Sequence, residues 1–505
     1  MPIQRSETDC LHASLTDNIA ILKKALGNST DLVISEVPVG STGQVRVGIV
    51  YTDGLADENK ISRLMEALIL HAAKEDQFLR PDVLQLLKNY VQTVGSVKEV
   101  DDFPSVFTSI LSGETAILVD GFATGFIAST KGWEDRGVQE STVQNVVRGP
   151  KEAFSENIRT NTALIRRKIN DPNLWLESKQ IGRVTKTNVA VMYIKGIAKD
   201  KVVKEVHKRL DRIDIDGILE SGNIEELIQD ETFTFFPTIF DTERPDIVAG
   251  NLLEGRVAIL VDGTPFVLIV PVMFTQFYQS PEDYYHRSNL GILRWLRTIS
   301  FFITLLGPSV FIAVTTFHQE MLPTTLMISI AAQREGVPFP AAVEAFLLEV
   351  TFEILREAGV RIPRAVGPAI SIVGALVLGE AAVQAGLVSP AMVIVVAITA
   401  ITSFVIPSFS MSIPLRILRF VLMALAASFG LYGIFVGLLA MIMHLCSLRS
   451  FGVPYMAPLA PMNLADQKDT FIRLPIWTLH KRPRNIAGKN AVRERSSSPK
   501  PEDSN

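Results

Sequence analysis

Hydrophobic and polar positions divide the chain into two halves. Charged residues are spread through residues 1–297, and they then become rare over long stretches as far as residue 448. The first such stretch, TISFFITLLGPSVFIAVTTF at 298–317, has about twenty uncharged residues, enough to cross a membrane core of roughly 30 Å as a helix. The pattern therefore predicts a soluble N-terminal half joined to a membrane half.

The soluble half contains an internal repeat. The segment LSGETAILVDG at 111–121 recurs as LEGRVAILVDG at 253–263, an offset of 142 residues. The same offset aligns VGIVYTDGLAD at 47–57 with VAVMYIKGIAK at 189–199. Each copy has an apolar β-branched strand, then a helical pattern, then the strand AILVDG. Two matching blocks at one offset indicate that an α/β unit was duplicated.

The repeat sets the expected domain boundaries. We expect a soluble domain at 1–290 with two α/β repeats, at about 31–133 and 185–280, joined by a helical connector at 134–184. The basic run from Arg166 to Lys168 in this connector is interpreted as a solvated face or a contact to lipid headgroups. Asp120 and Asp262 precede glycine, which is typical of a hairpin turn, and a paired-carboxylate site is the alternative.

Sequence signatures of catalysis are absent from this half. It has no GxxxxGK phosphate loop, no GxGxxG after a strand, no GxSxG, and no HExxH or CxxC pair. The seven histidines show no metal-ligand spacing, and a net charge of −4 gives no basic field for nucleic acid. We therefore expect that the protein is not an enzyme and that it binds no cofactor, metal ion or nucleic acid.

Further uncharged stretches extend the membrane half. From Ala365 to Leu415 the only charged residue is Glu380, and the segment from Gly386 to Pro390 divides this stretch into two spans. Residues 420–448 form another span. We expect an α-helical transmembrane domain at 291–448 with about four spans, while LPTTLMISIAA at 322–332 suits a re-entrant or interfacial helix because it is too short to cross.

Charge distribution predicts the topology. The tail at 449–505 is basic, which places it in the cytoplasm, and its last residues, SSSPKPEDSN, are typical of disorder. The N-terminus has no secretory signal, so both termini are expected in the cytoplasm. Four arginines then fall on the opposite side of the membrane: Arg361, Arg364, Arg416 and Arg419.

A charged segment, AFLLEVTFEILREAGVRIP at 345–363, interrupts the membrane half. On a helix, Glu349, Glu353 and Arg356 form one stripe. One interpretation is an interfacial helix whose carboxylates are solvated and partly paired along the helix. The other is an oligomer in which one glutamate per subunit forms a ring that concentrates cations at a pore mouth. Glu380 lies inside a predicted span, where an ionisable residue is a functional candidate unless it snorkels to the membrane edge.

The run from Leu322 to Pro390, together with VRGPKEAFSENIRTNTALIRRKI at 147–169, resembles the A subunit of the GerA family of spore germination receptors. The resemblance covers residues 85–462. It implies a subunit of a nutrient-sensing complex in the inner membrane of the spore. The implied partners are a transporter-like B subunit, a lipoprotein C subunit and further A subunits, which form a ring with a cation pore.

The function predicted from sequence and resemblance is a nutrient-gated cation channel subunit. VGPAISIVGALVLGEAAVQAG at 366–386 is rich in small residues that permit close helix packing, and one of its faces is expected to line a narrow gate. A secondary transporter and a non-conducting membrane scaffold are the alternatives. The candidate pore or gating residues are Glu349, Glu353, Arg356, Ser371, Ile372, Ala375, Leu376 and Glu380.

Overall fold

The structure, a computed structural model, describes residues 9–39, 45–72, 84, 88, 91, 96–132, 141, 144, 146, 148–285, 292–361, 379–463, 466–470 and 473–496. The chain folds into two compact units. The repeat unit comprises Met1–Gln229, Ile239–Pro271 and His480–Arg495. The helical unit comprises Asp230–Thr238, Val272–Leu479 and Ser496–Asn505.

Two antiparallel five-stranded sheets form the centre of the repeat unit. The first has the order β1-β2-β4-β5-β3, built from β1 (Leu32–Val39), β2 (Val45–Thr52), β3 (Val97–Val100), β4 (Thr115–Val119) and β5 (Gly125–Ala128). The second has the order β6-β7-β9-β10-β8, built from β6 (Leu174–Ile181), β7 (Thr187–Ile194), β8 (Phe240–Thr242), β9 (Val257–Val261) and β10 (Val267–Val270).

The offset of 142 residues recurs in the register of the two sheets. Val47 lies opposite Val119 in the first sheet, and Val189 lies opposite Val261 in the second. Every residue pair in the second sheet has its counterpart in the first at this offset. The two AILVDG strands therefore occupy equivalent places, as duplication of an α/β unit requires.

Seven helices described in the repeat unit flank these sheets: α1 (Leu15–Ala25), α2 (Glu58–Ala72), α3 (Phe103–Leu111), α4 (Ile158–Lys168), α5 (Asp200–Asp211), α6 (Ser221–Ile228) and α7 (Pro245–Glu254). In the first repeat, α1 and α3 pack on the face that contains Val50 and Leu118. The opposite face, with Ile49 and Ile117, packs on α2. Strands β2 and β4 are therefore buried on both faces, because successive side chains of a strand point to opposite sides.

Asp120 and Asp262 have a structural role in the two repeats. Asp120 Oδ1 accepts a hydrogen bond from the Leu15 backbone N–H at 3.0 Å, and Asp262 Oδ1 accepts one from Ile158 N–H at 3.1 Å. Each carboxylate therefore satisfies a free donor at the start of the helix that precedes its repeat. The two residues do not form a paired-carboxylate site, because each one serves its own repeat.

The range 134–184, expected as a helical connector, contains both α4 and the first strand of the second repeat, β6. Along β6, with the sequence LWLESKQI, more buried and less buried positions alternate.

The basic run in α4 also differs from the expected solvated face. Arg166 is buried, and its Nε and Nη2 donate to Asp31 of the first repeat at 2.8 and 3.1 Å.

The described helices of the helical unit are α8 (Pro281–Tyr285), α9 (Ile292–Thr316), α10 (Thr324–Arg334), α11 (Ala341–Arg361), α12 (Pro390–Ser403) and α13 (Phe409–Ser447). Of these, α9 and α13 are long and apolar enough to cross a membrane. A short hairpin of β11 (Arg449–Ser450) and β12 (Val453–Pro454) comes after them.

The expected four spans are not confirmed. The second half of the stretch from Ala365 to Leu415 does not form one span, because α12 ends at Ser403 and a new helix begins only at Phe409. Pro407 lies in this break, and proline both lacks a donor and disfavours helix in the preceding residue. Residues 362–378, which include most of the preceding predicted span, lie outside the described residues.

Helix α13 reverses its direction at Gly430. This glycine has φ 63° and ψ −141°, a conformation open essentially to glycine alone. A Cβ built on Gly437 would lie 2.6 Å from Leu422 Cδ2. In a continuous helix these two positions would be about 22 Å apart. The helix is therefore a hairpin with arms at 409–429 and 431–447.

Candidate functional site

Five charged side chains of the helical unit lie together between α11 and α13. Glu349, Glu353 and Arg356 share one face of α11 because they are spaced at i, i+4 and i+7. Arg416 and Arg419 lie one turn apart on the first arm of α13. We call these five residues the charge cluster.

Ion pairs connect the two helices across this cluster. Arg419 Nη2 lies 2.7 Å from Glu349 Oε2, and the two side chains are only 0% and 1% exposed. Glu353 bridges both arginines, with Arg416 Nη1 at 2.8 Å and Arg419 Nη2 at 3.2 Å. Removing such groups from water is costly, and a charge tolerates burial only when its partner is close.

Arg356 extends the cluster to a third helix. Its Nη2 donates a hydrogen bond to Ser403 Oγ, the last residue of α12, at 2.6 Å. Its guanidinium lies 5.0 Å from the ring centres of both Phe352 and Phe404. Rings at this distance stabilise a cation through their quadrupoles. The cluster therefore links α11, α12 and α13.

The hydrogen bonding of the cluster is incomplete among the described residues. Both carboxylate oxygens of Glu349 lack a partner with hydrogen-bond geometry, although Arg419 is within ion-pair distance. Nε and Nη1 of Arg419 and Nε of Arg356 lack one as well. Partly satisfied polar networks are less stable than fully satisfied ones. The cluster therefore contains buried donors and acceptors that have no hydrogen-bond partner among the described residues.

A second buried carboxylate, Glu344, organises the start of α12. Its Oε2 accepts hydrogen bonds from the backbone N–H and Oγ of Ser389 at 2.9 and 2.8 Å. Arg334 Nη2 lies 3.4 Å from Glu344 Oε1. A carboxylate is stabilised beside the free N–H groups of a helix N-terminus. Glu344 therefore joins α10, α11 and α12.

The predicted site residues have different surroundings. Glu349, Glu353 and Arg356 belong to the charge cluster. Glu380 is exposed, and its Oε1 accepts a hydrogen bond from Gln384 at 3.2 Å. Ser371, Ile372, Ala375 and Leu376 lie outside the described residues.

Arg416, Arg419 and Glu344 are parts of the site that the sequence pattern did not identify. The pattern places both arginines at a boundary between two spans, whereas they lie within α13. A signal is nevertheless present, because two ionisable residues at i, i+3 within an apolar run are functional candidates by default. These two charges mark a packed site inside a helix, not the edge of a span.

The charges indicate what the cluster can do. Two carboxylates face the three guanidinium groups of Arg356, Arg416 and Arg419. The cluster therefore has one more positive than negative formal charge. It holds three helices in one arrangement, because separating them exposes unpaired buried charge.

Together, a duplicated α/β unit and a helical unit with two candidate spans and buried ion pairs define a membrane-associated protein with no sequence signature of catalysis in its repeats. The family model for the Bacillus/Clostridium GerA spore germination protein matches residues 20–485. The chain belongs to this family.

Three relatives illustrate the similarity. Spore germination protein KA of Bacillus subtilis (strain 168) is 52% identical over 95% of this chain and 88% of its own length. Spore germination protein B1 of the same organism is 42% identical over 96% of this chain and 100% of its own. Spore germination protein GerLA of Bacillus cereus is 39% identical over 95% of this chain and 97% of its own.

Among solved structures, the chain is similar to the N-terminal domain of the A subunit of the Bacillus megaterium spore germinant receptor GerK3. The two are 44% identical, and the match covers 52% of this chain and 97% of that chain, with a TM-score of 0.43.

Proposed function

We propose that this chain is the A subunit of a spore germinant receptor and helps to form a nutrient-gated cation channel in the inner membrane of the spore. Its partners are a transporter-like B subunit, a lipoprotein C subunit and further copies of the A subunit. Membership of the GerA family supports the receptor role. The charge cluster supports a gating role within it.

One observation carries the gating role: the fully buried pair of Glu349 and Arg419 joins α11 to α13 within an apolar unit. Ionisable groups in membrane segments are rare and usually mark a pathway or a relay. In the charge cluster the arginines outnumber the carboxylates. This excess of positive charge favours a lock, by which we mean ion pairs that hold the three helices in the closed state, over a pore mouth that attracts cations. The channel opens when the three helices separate and the cluster forms new pairs.

Glu353 offers a direct test, because it bridges Arg416 and Arg419 while remaining partly accessible. Glu353→Gln keeps size and helix propensity but removes the bridging charge. Spores with this variant should release monovalent cations without nutrient, or at a lower nutrient concentration than wild type. The measurement is cation release into the medium, with the amount of receptor in the membrane quantified alongside.

Glu357→Gln is the matched control. Glu357 lies on the same helix, and its exposed pair with Arg361 at 2.6 Å does not reach another helix. This variant should behave as wild type. If Glu353→Gln spores hold a normal amount of receptor and also release cations normally, the lock is contradicted. Slower release on nutrient addition would support the pore-mouth alternative instead.

A further inference from the structure

In each repeat, the residues that follow the second strand (β2 or β7) form an edge that pairs with another chain segment. The two repeats differ in which segment this is. In the first repeat the chain continues from β5 along residues 129–132 and runs beside the segment after β2. Ala56 forms a β-bridge with Lys131, and the backbone N–H of Asp57 donates to Thr130 O at 2.9 Å. Gly132 N–H donates to Leu55 O at 3.4 Å. The edge of the first repeat is therefore covered by the residues directly after β5.

The second repeat has no such continuation. After β10 the chain passes at Val272 into the helical unit. At the edge Gly196–Lys199, which lies 142 residues after the edge just described, the carbonyl oxygens of Gly196 and Ile197 would then have no donor among the described main-chain groups. Unpaired backbone groups at an edge form a binding site for an extended peptide.

The C-terminal segment, residues 480–495, occupies this edge. Ala487 forms a β-bridge with Ala198, the counterpart of the bridge between Lys131 and Ala56. Gly488 N–H donates to Ile197 O at 2.6 Å, and Asn490 N–H donates to Gly196 O at 3.2 Å. Main-chain bonds of the same type are thus made in both repeats, by unrelated parts of the chain.

Side chains add to this attachment. Lys199 Nζ donates to the carbonyl oxygens of Arg484 and Asn485 at 3.1 and 2.6 Å. Arg482 is buried, and its Nε donates to Leu253 O at 2.7 Å. Arg493 Nη1 lies 3.3 Å from Glu254 Oε1. The contacts therefore extend from the edge to the C-terminal end of α7.

We infer that the edge at Gly196–Lys199 is a peptide-binding site whose occupant is the chain's own C-terminal segment, which supplies the last piece of the second repeat. This repeat becomes complete only after the whole helical unit has been synthesised. A subunit that ends early, or whose C-terminus is displaced, presents an open edge.

Gly488 allows a minimal test in the full-length chain. A Cβ at this position would lie 2.9 Å from Ala198 O and 3.0 Å from Ile197 O, so Gly488→Ala forces the segment away from a backbone that cannot yield. Hydrogen exchange in the purified full-length protein should become roughly tenfold faster at residues 486–491, because the loss of one or two hydrogen bonds has about this effect. Lys489→Ala, at the exposed neighbouring position, should change nothing.

A chain that ends at Leu479 tests the site itself. Exchange in the windows 195–199 and 253–256 should rise, and a synthetic peptide of residues 480–495 should restore protection. The inference is overturned if the truncated chain keeps its protection or if the peptide fails to restore it. It is also overturned if the segment in Gly488→Ala is as protected as in wild type. If the truncated chain does not accumulate, the comparison of hydrogen exchange between Gly488→Ala and wild type tests the inference by itself.

Discussion

Buried ion pairs have a different energetic role from exposed pairs on the same helix. Glu349 and Glu357 both lie on α11, and each has an arginine partner within 2.7 Å. The first pair is removed from water, whereas the second is largely exposed. Breaking the first leaves the buried Arg419 with Glu353 as its remaining ion-pair partner, whereas breaking the second lets water replace the partner.

Glu349→Gln should therefore destabilise the helical unit by up to about 3–5 kcal/mol, because Arg419 loses its fully buried partner and keeps only the partly exposed Glu353 at 3.2 Å. Glu357→Gln should cost only about 0.3–0.5 kcal/mol. The double variant Glu349→Gln with Arg419→Met should recover most of the loss. Thermal unfolding of the purified protein in detergent measures all three. Equal losses in the two single variants would contradict the burial of the Glu349 pair.

Glu225 should make the stability of the repeat unit depend on pH. Burial raises the pKa of Glu225 from 4.5 to about 7, and the nearby charges of Asp241 and Glu220 contribute to this rise. The folded state therefore binds this proton more tightly than the unfolded state. The resulting contribution to the free energy of unfolding is lost as the pH rises from about 4.5 to about 7, and ionised Glu225 is a constant penalty above that range.

Glu225→Gln removes this penalty. The variant should unfold at a higher temperature than wild type at pH 8 and at the same temperature at pH 4. Calorimetry of the repeat-unit transition gives the comparison. Glu226→Gln, at the exposed neighbouring position, is the control. A stabilisation that is the same at both pH values would rule out the titration of Glu225 as its cause.

At the scale of elements, the strands of the repeat unit were predictable and the helices of the helical unit were less so. Strands β4 and β9 are short, apolar except for Thr115 and followed by Asp-Gly, so both their position and their equivalence could be inferred. In the helical unit, apolar character does not indicate where a helix breaks or reverses. The break before α13 contains Pro407 and the reversal occurs at Gly430, and a hydropathy pattern does not register the backbone preferences of these two residues.

The hairpin in α13 can be tested by disulfide cross-linking between its two arms. Leu422→Cys and Gly437→Cys, made after Cys10 and Cys446 are replaced by serine, should form a disulfide under mild oxidation, because the two positions are in contact. In a continuous helix they would be about 22 Å apart and would not react. Leu422→Cys with Met443→Cys, further along the second arm, should remain reduced. Absence of the first disulfide would contradict the reversal.

At the scale of the whole molecule, the repeat unit contains both Met1–Gln229 and His480–Arg495. The chain between them must therefore return to the side of the membrane that it leaves, so we expect an even number of crossings. We expect helix α9 and the two arms of α13 to provide three of them. The fourth is expected between residues 317 and 408, where the sequence predicts a span that begins near Ala365.

Reporter fusions test this topology. A periplasmic-type enzyme and a cytoplasmic fluorescent protein, each fused at Ser6 and at Ser497, should give cytoplasmic signals at both positions. The family and the order of α/β repeats before a helical region were predictable from sequence alone. The attachment of residues 480–495 was not, because it depends on main-chain bonds between segments with no shared sequence pattern. Opposite signals at the two positions would mean an odd number of crossings and would exclude this attachment.

Cation flux through the reconstituted receptor is the measurement that decides whether this chain contributes to a nutrient-gated cation channel, as we propose. The A, B and C subunits are purified together and placed in liposomes loaded with a potassium-sensitive dye, and a nutrient extract is added. We expect cation flux on nutrient addition with the wild-type A subunit, and cation flux before nutrient addition with Glu353→Gln. An assembled complex that remains impermeable to cations in every case would contradict the proposal.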